Sequence, residues 1–211
     1  MPEPIADRSR AQRDLDRLVF FSDAVIAIAI TLLVIGLRVP DLPPHATDAD
    51  LRAALVAMAP QFFSVILSFA VIALWWTTHH RFFASVARLD GRLIVLNLLF
   101  LSAIAFLPFP TSLLGRTGLP TAVALYAATN AAIGYAIAGM REYADRADLL
   151  APDIPRDAFR LRTRRSLVAP TVFAASILVA PINPILAGWS WNLIWILTLV
   201  IRHYRGPSAR Y

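Results

Sequence analysis

The side chains able to do chemistry gather in two short stretches. One is "RLVFFSD", residues 17–23, where Ser22 and Asp23 lie inside an otherwise apolar run. The other is "WWTTHHRFF", residues 75–83, where Trp76 and His80 are four apart and so share one helical face. A carboxylate accepts hydrogen bonds, and an indole or imidazole N–H suits it as donor. Asp23 follows Arg17 by about one and a half helical turns, so it can pair with that cation instead of standing alone. Two roles stay open for this group. Ser22, Asp23, Trp76 and His80 can form a polar clasp between two helices, or Asp23 and His80 can handle protons or ions. A metal is not expected, because His79 and His80 diverge by about 100° on a helix. No second ligand pair has suitable spacing, and the chain has no cysteine. No nucleophile–base constellation points to an enzyme, and no cofactor is called for.

These residues sit in elements of a membrane protein. Of 211 residues, 58% are hydrophobic and only 16% charged, where soluble domains average about a quarter charged. The apolar residues are also blocked into long runs, which favours membrane over soluble core. The net charge is +6 and all 20 basic residues are arginine, but they collect in particular loops, so nucleic acid is not an expected partner. No cleavable signal is expected, since the N-terminus is polar and the first apolar run is too long.

Hydropathy gives six expected spans: 18–38, 56–78, 92–114, 120–140, 166–187 and 188–203. Together they make one all-α transmembrane domain over residues 1–211. The last span is short and relies on Trp189, Trp191 and Trp195 as interface anchors. Pro181, Pro184 and Gly188 are expected to punctuate the turn before it. With six spans, 17 arginines fall on one side and three, Arg38, Arg52 and Arg116, on the other. That bias puts both termini in the cytoplasm. The segment 141–165 is the one long cytoplasmic loop, expected as a basic surface helix attracted to anionic lipid. After the first span, a short helix is expected to begin at Asp48 or Asp50.

Two further patterns concern the spans themselves. Ile28, Thr31, Leu32 and Ile35 follow i, i+3, i+4, i+7 and form one stripe on the first span; Asp23 lies about 140° away from Ile28. Periodicity does not separate a pore-lining stripe from one facing lipid or a neighbouring helix. Ser64, Ser68, Asn97, Ser102, Thr129, Asn130, Asn183 and Asn192 are expected mostly to make inter-helix hydrogen bonds. There is no carboxylate relay, no matched pair of unwound Gly-rich segments and no TVGYG-type filter loop.

The motifs "RLVFFSD" followed by "AITLL", then "SFAVIALWWTTHHRFF", then "LFLSAIAFLPFPTSLLG", stand in order along three spans. Over roughly residues 13–115 they resemble the bacterial transmembrane protein 175 family, relatives of the lysosomal potassium channel. The resemblance implies a homotetramer of six-helix subunits around a central pore lined by the first span. It implies a potassium-permeable cation channel with no filter loop and a modest preference for potassium over sodium. It places the constriction at Ile28, further apolar layers at Leu32 and Ile35, and a threonine layer at Thr31. The family's polar network carries over to Arg17, Phe21, Ser22, Asp23, Trp76 and His80, all of which match. Ala24 and Ala27 depart from the Gly or small polar residues that relatives often carry. The competing reading is a proton-coupled carrier or proton-conducting protein using Asp23 and His80.

Overall fold

The computed structural model describes residues 5–194, with side chains from residue 12 onward. The described residues are all-helical, and they form nine helices. The first, α1 (Ile5–Ile35), runs through a stretch free of Gly and Pro and stops at Gly36, before Pro40, Pro43 and Pro44. Its apolar part is Gln12–Ile35. Next, α2 (Asp48–Ala57) starts where Thr47 and Asp50 form a reciprocal capping box, with Asp48 and Asp50 favourable in the first turn. Met58 separates it from α3 (Ala59–Phe83), which opens with Pro60 in its first turn. The second long apolar helix therefore starts three residues later than hydropathy suggests and ends at Phe83, because proline sets its entry.

A sharp break follows in the next long apolar stretch. Asp90 caps α4 (Gly91–Phe106) by accepting from Leu93 N–H at 2.8 Å. Leu107 then interrupts the run, and α5 (Pro108–Thr117) carries on to Gly118, which ends it at φ 58°. Pro108 and Pro110 remove two backbone donors, so the pass from Gly91 to Thr117 is two helices in series. Pro120 opens α6 (Pro120–Arg146), the most deeply covered helix. It packs against α3, α4 and α5, and against the three helices that follow.

The C-terminal part is built from shorter pieces: α7 (Arg156–Ser166), α8 (Val168–Val179) and α9 (Pro184–Ser190). Here expectation and structure differ. Pro184 begins α9 instead of breaking it, because proline lacks only an N–H that the first turn leaves unpaired anyway. Asn183 completes the cap by accepting from Leu186 N–H at 3.0 Å. Gly188 lies within α9. Trp191 is not an interface anchor: it is buried against Tyr126 and Phe173 and donates to Ser176 at 3.0 Å. Trp189 is exposed. Trp195 and the rest of the expected span 188–203 beyond residue 194 lie outside the described residues. Among the described residues, four stretches are long and apolar enough to cross a membrane: Gln12–Ile35, Ala59–Phe83, Gly91–Thr117 and Pro120–Arg146.

Close backbone approach brings these helices together. A Cβ on Gly134 would lie 2.7 Å from Pro170 and 2.8 Å from the Trp75 ring. One on Gly115 would lie 2.9 Å from the Gln61 backbone. Small residues at such points let helices pack where water is not there to drive them together. Three of the eight polar residues named above bond between helices. Ser68 joins Tyr126 and Thr111, Asn130 accepts from Trp75, and Asn97 joins two helices described below. Ser64, Ser102, Thr129, Asn183 and Asn192 instead satisfy backbone groups of their own turns.

Candidate functional site

The two faces of α1 have different fates. Leu15, Ser22, Ile26, Ala29 and Leu33 recur at spacings of seven, four, three and four, and all are buried against the same chain. They form the ridge that seats α1 on α3, α4 and α5. Ile28, Thr31, Leu32 and Ile35 are left uncovered; Ile28 is 58% exposed, Leu32 40% and Ile35 73%. The Thr31 hydroxyl donates to the Ile28 carbonyl at 2.8 Å. That fixes its rotor and leaves the oxygen's lone pairs free to accept or to ligate a cation.

The polar residues of α1 and of the end of α3 reach different partners. Trp76 Nε1 donates to the Asp23 carboxylate at 2.9 Å. His80 stacks on Trp76, with ring centroids 5.6 Å apart, and makes no hydrogen bond to Asp23. No ion pair joins Arg17 to Asp23 among the described residues. Arg17 and Phe21 instead line a surface hollow with Asp14, Leu18, Leu89, Asp90, Gly91 and Ile94, at the start of α4.

Ser22 turns inward to a second network. It donates to the Leu18 carbonyl at 2.8 Å and accepts from Asn97 Nδ2 at 2.9 Å. Asn97 Oδ1 lies 2.8 Å from His79 Nε2. With its amide nitrogen spent on Ser22, Asn97 offers His79 an acceptor, which assigns the imidazole proton to Nε2. His79 Nδ1 is then a buried acceptor without a partner. The ring is held between Phe100 and Phe83, at centroid distances of 5.0 and 4.6 Å.

The expected clasp grouped Ser22 with Asp23, Trp76 and His80, whereas Ser22 joins Asn97 and His79. The signal was present in the spacing. His79 continues the buried series Ile72, Trp75, Phe82 and Phe83 on α3, whereas His80 lies about 100° round the helix. The structure thus brings Asp23, Trp76 and His80 into one contact group and Ser22 into another, with Arg17 and Phe21 apart from both.

Outside the spans, the electrostatics is local. Asp90 caps α4 and accepts from the Tyr143 hydroxyl, over whose ring Arg92 lies at 5.1 Å. Burial pushes the Asp90 carboxyl up, but hydrogen bonds from Tyr143, Leu93 and Arg92 and the Arg92 charge bring it below its ordinary value. Among the described residues no three His, Cys, Asp or Glu side chains group as metal ligands. What remains chemically is an uncovered apolar stripe with one hydroxyl in it, on a helix tied back by two polar contacts.

Known proteins are similar to this chain in sequence and in fold. The family model described as "Endosomal/lysosomal potassium channel TMEM175" matches residues 17–108. A Chamaesiphon minutus protein named as a potassium channel is 39% identical over 127 residues, which are 60% of this chain and 62% of that protein. The human endosomal/lysosomal proton channel TMEM175 is 29% identical over 154 residues, 72% of this chain and 30% of its own. The chain thus spans less than two thirds of the length of either. The crystal structure of a lysosomal potassium-selective channel TMEM175 homolog from Chamaesiphon minutus superposes with a TM-score of 0.77 at 29% identity. It covers 89% of this chain and 97% of that one. These neighbours are ion channels and not enzymes. Residues 17–108 thus match the TMEM175 family model, and the fold is shared with the Chamaesiphon minutus channel homolog.

Proposed function

We propose that this chain is one subunit of a potassium-permeable cation channel, with residues 1–211 as a single six-span domain and both termini cytoplasmic in a bacterial inner membrane. Four copies of α1 surround the axis and turn Ile28, Thr31, Leu32 and Ile35 inward. The carrying observation is that these four side chains are uncovered while the opposite ridge of α1 is packed into its own subunit. The names of the bacterial relatives supply the ion. One helix cannot enclose a pore, whereas a ring of four stripes can.

A ring of branched side chains that excludes water stops ions by dewetting, because a bare cation finds nothing to replace its hydration shell. Opening widens or rotates the ring until water enters. Potassium is less strongly hydrated than sodium, so it loses less on partial dehydration, and the Thr31 oxygens replace part of what is lost. The resulting preference is modest. Arg17, Phe21, Ser22, Asp23, Trp76 and His80 brace the pore helix and do not contact the ion. The 141–165 segment rests against anionic lipid.

A second reading, proton conduction or proton-coupled transport through Asp23 and His80, is favoured by the names of the vertebrate relatives. Purified protein in a planar bilayer under bi-ionic potassium and sodium separates the two. A channel gives passive current reversing near the potassium equilibrium potential, and Ile28→Asn raises its leak. Reversal that follows the pH gradient, or saturable flux of fixed stoichiometry, supports the second reading. Unchanged conductance in Ile28→Asn counts against the constriction.

A further inference from the structure

The arginine-rich end of the helix bundle contains a cation that the proposed channel does not use. Arg141, on α6, is 92% buried, with 8% of its surface open. Its Nε is enclosed and has no hydrogen-bond partner. No ion pair or hydrogen bond reaches any of its guanidinium nitrogens among the described residues. Its packing partner is the Phe159 ring of α7, 5.9 Å from Cζ, which faces the cation but offers no oxygen acceptor. The charges that act on it are those of Arg162 on α7 and Arg81 at the end of α3, so three helices bring like charges to one place.

The carboxylates nearby are committed elsewhere. Glu142 pairs with Arg146 at 2.7 Å. Asp145 holds Arg156 at 3.2 Å and Arg160 at 2.6 Å. Asp157, in the first turn of α7, acts on Arg160. An enclosed guanidinium N–H with no acceptor is costly, and two further guanidiniums acting on the same side chain raise that cost. The arrangement becomes favourable when an oxyanion completes it, since planar forks bind phosphate oxygens through charge-assisted hydrogen bonds.

We propose that Arg141, with Arg81 and Arg162 at its rim, forms a binding site for a phosphate-class oxyanion. Arg141 lies five residues from the end of a helix long enough to cross the membrane, or about 8 Å along its axis. That depth suits a phospholipid headgroup, and a free phosphate carries the same chemistry. The proposal narrows the basic character of the 141–165 segment to Arg141 and Arg162, and adds Arg81 from α3. It rests on the membrane-embedded reading of α6 and not on ion conduction, so loss of binding and loss of current are separate failures.

The test uses the full chain in detergent. Phosphatidylglycerol and phosphatidylcholine are compared by native mass spectrometry, and inorganic phosphate by thermal shift. Phosphatidylglycerol should remain bound where phosphatidylcholine does not, and Arg141→Gln should weaken it about tenfold or more. Arg81→Gln and Arg162→Gln should each weaken it about three- to tenfold, while the exposed Arg164→Gln binds as the parent does. Binding of phosphatidylglycerol without binding of phosphate identifies a headgroup site. Saturable binding of phosphate alone, with the same dependence on Arg141, identifies a soluble anion. Binding of neither overturns the proposal, as does equal loss in Arg164→Gln and Arg141→Gln. Should Arg141→Gln not fold, the two exposed rim variants decide: parent-like binding in both overturns it.

Discussion

Two membrane-length helices of this chain invert the rule that the most apolar segment goes inside. The apolar part of α1 has a mean hydropathy of 2.7 and is 22% buried, whereas α6 has a mean hydropathy of 1.3 and is 61% buried. In lipid the surroundings are as apolar as leucine, so hydrophobicity does not choose the interior; close packing and hydrogen bonding do. The buried face of α6 is built from Ala122, Ala127, Ala131, Gly134, Ala138 and Ala144, with Asn130 and Tyr126 supplying polar contacts. On α1 the large branched residues are outside and only a narrow ridge is committed to the subunit. One helix is a hub, and the other keeps most of its surface for lipid or for other copies.

The largest effect should come from breaking the hub. In Gly134→Val the new side chain meets Pro170 and Trp75 within 3 Å, and neither ring can yield. A loss of about 3 kcal/mol, the upper end for overpacking, is expected in thermal unfolding in detergent. Less costly is the loosening of α1. Asn97→Ala leaves His79 Nε2–H without an acceptor in a buried site, while Ser22 keeps the Leu18 carbonyl, and should lose about 2 kcal/mol. Hydrogen exchange should rise in α1 and α3 but not in α6. A uniform rise would show that α1 is no more separable than the hub.

Asp23→Ala removes the Trp76 contact at a partly exposed position, and about 1 kcal/mol is expected. It should disturb assembly or gating more than ion choice, read as tetramer yield and open probability beside permeability ratios. A normally gated tetramer with altered ratios would place Asp23 in the conduction path. The smallest effect concerns the link between α4 and the hub. Because the native Asp90 carboxyl sits below its ordinary value, its contribution is present above the unfolded value near pH 4 and is lost as pH falls through the native one. Melting should be flat from about pH 7 to 5 and decline below about pH 4, less so in Asp90→Asn.

Long apolar runs made the helical character and the four membrane-length stretches readable before any coordinates. So was the start of α2 at Asp48, since Thr47 and Asp50 announce a cap within four residues. The Trp76–Asp23 contact could be anticipated because donor and acceptor types are scarce inside spans and Trp76 sits one turn from His80. The choice between His79 and His80 was harder. Adjacent residues on a helix differ only in which face is buried, and that depends on where α4 brings Asn97. Pro184 misled because proline ends one helix and starts the next with equal ease. Arg141 looked like one more basic loop residue, since its enclosure arises only when α7 folds back over α6.

The central claim is that the uncovered stripe of α1 faces a conducting axis, and the absence of cysteine makes it directly testable. Ile28→Cys, reconstituted in bilayers and exposed to a membrane-impermeant thiol-reactive cation, places one label in the throat. Modification should block potassium current, oxidation should cross-link neighbouring copies, and Ile66→Cys on α3 should show neither. Current that is indifferent to modification at Ile28, with no cross-link between copies, would contradict the account.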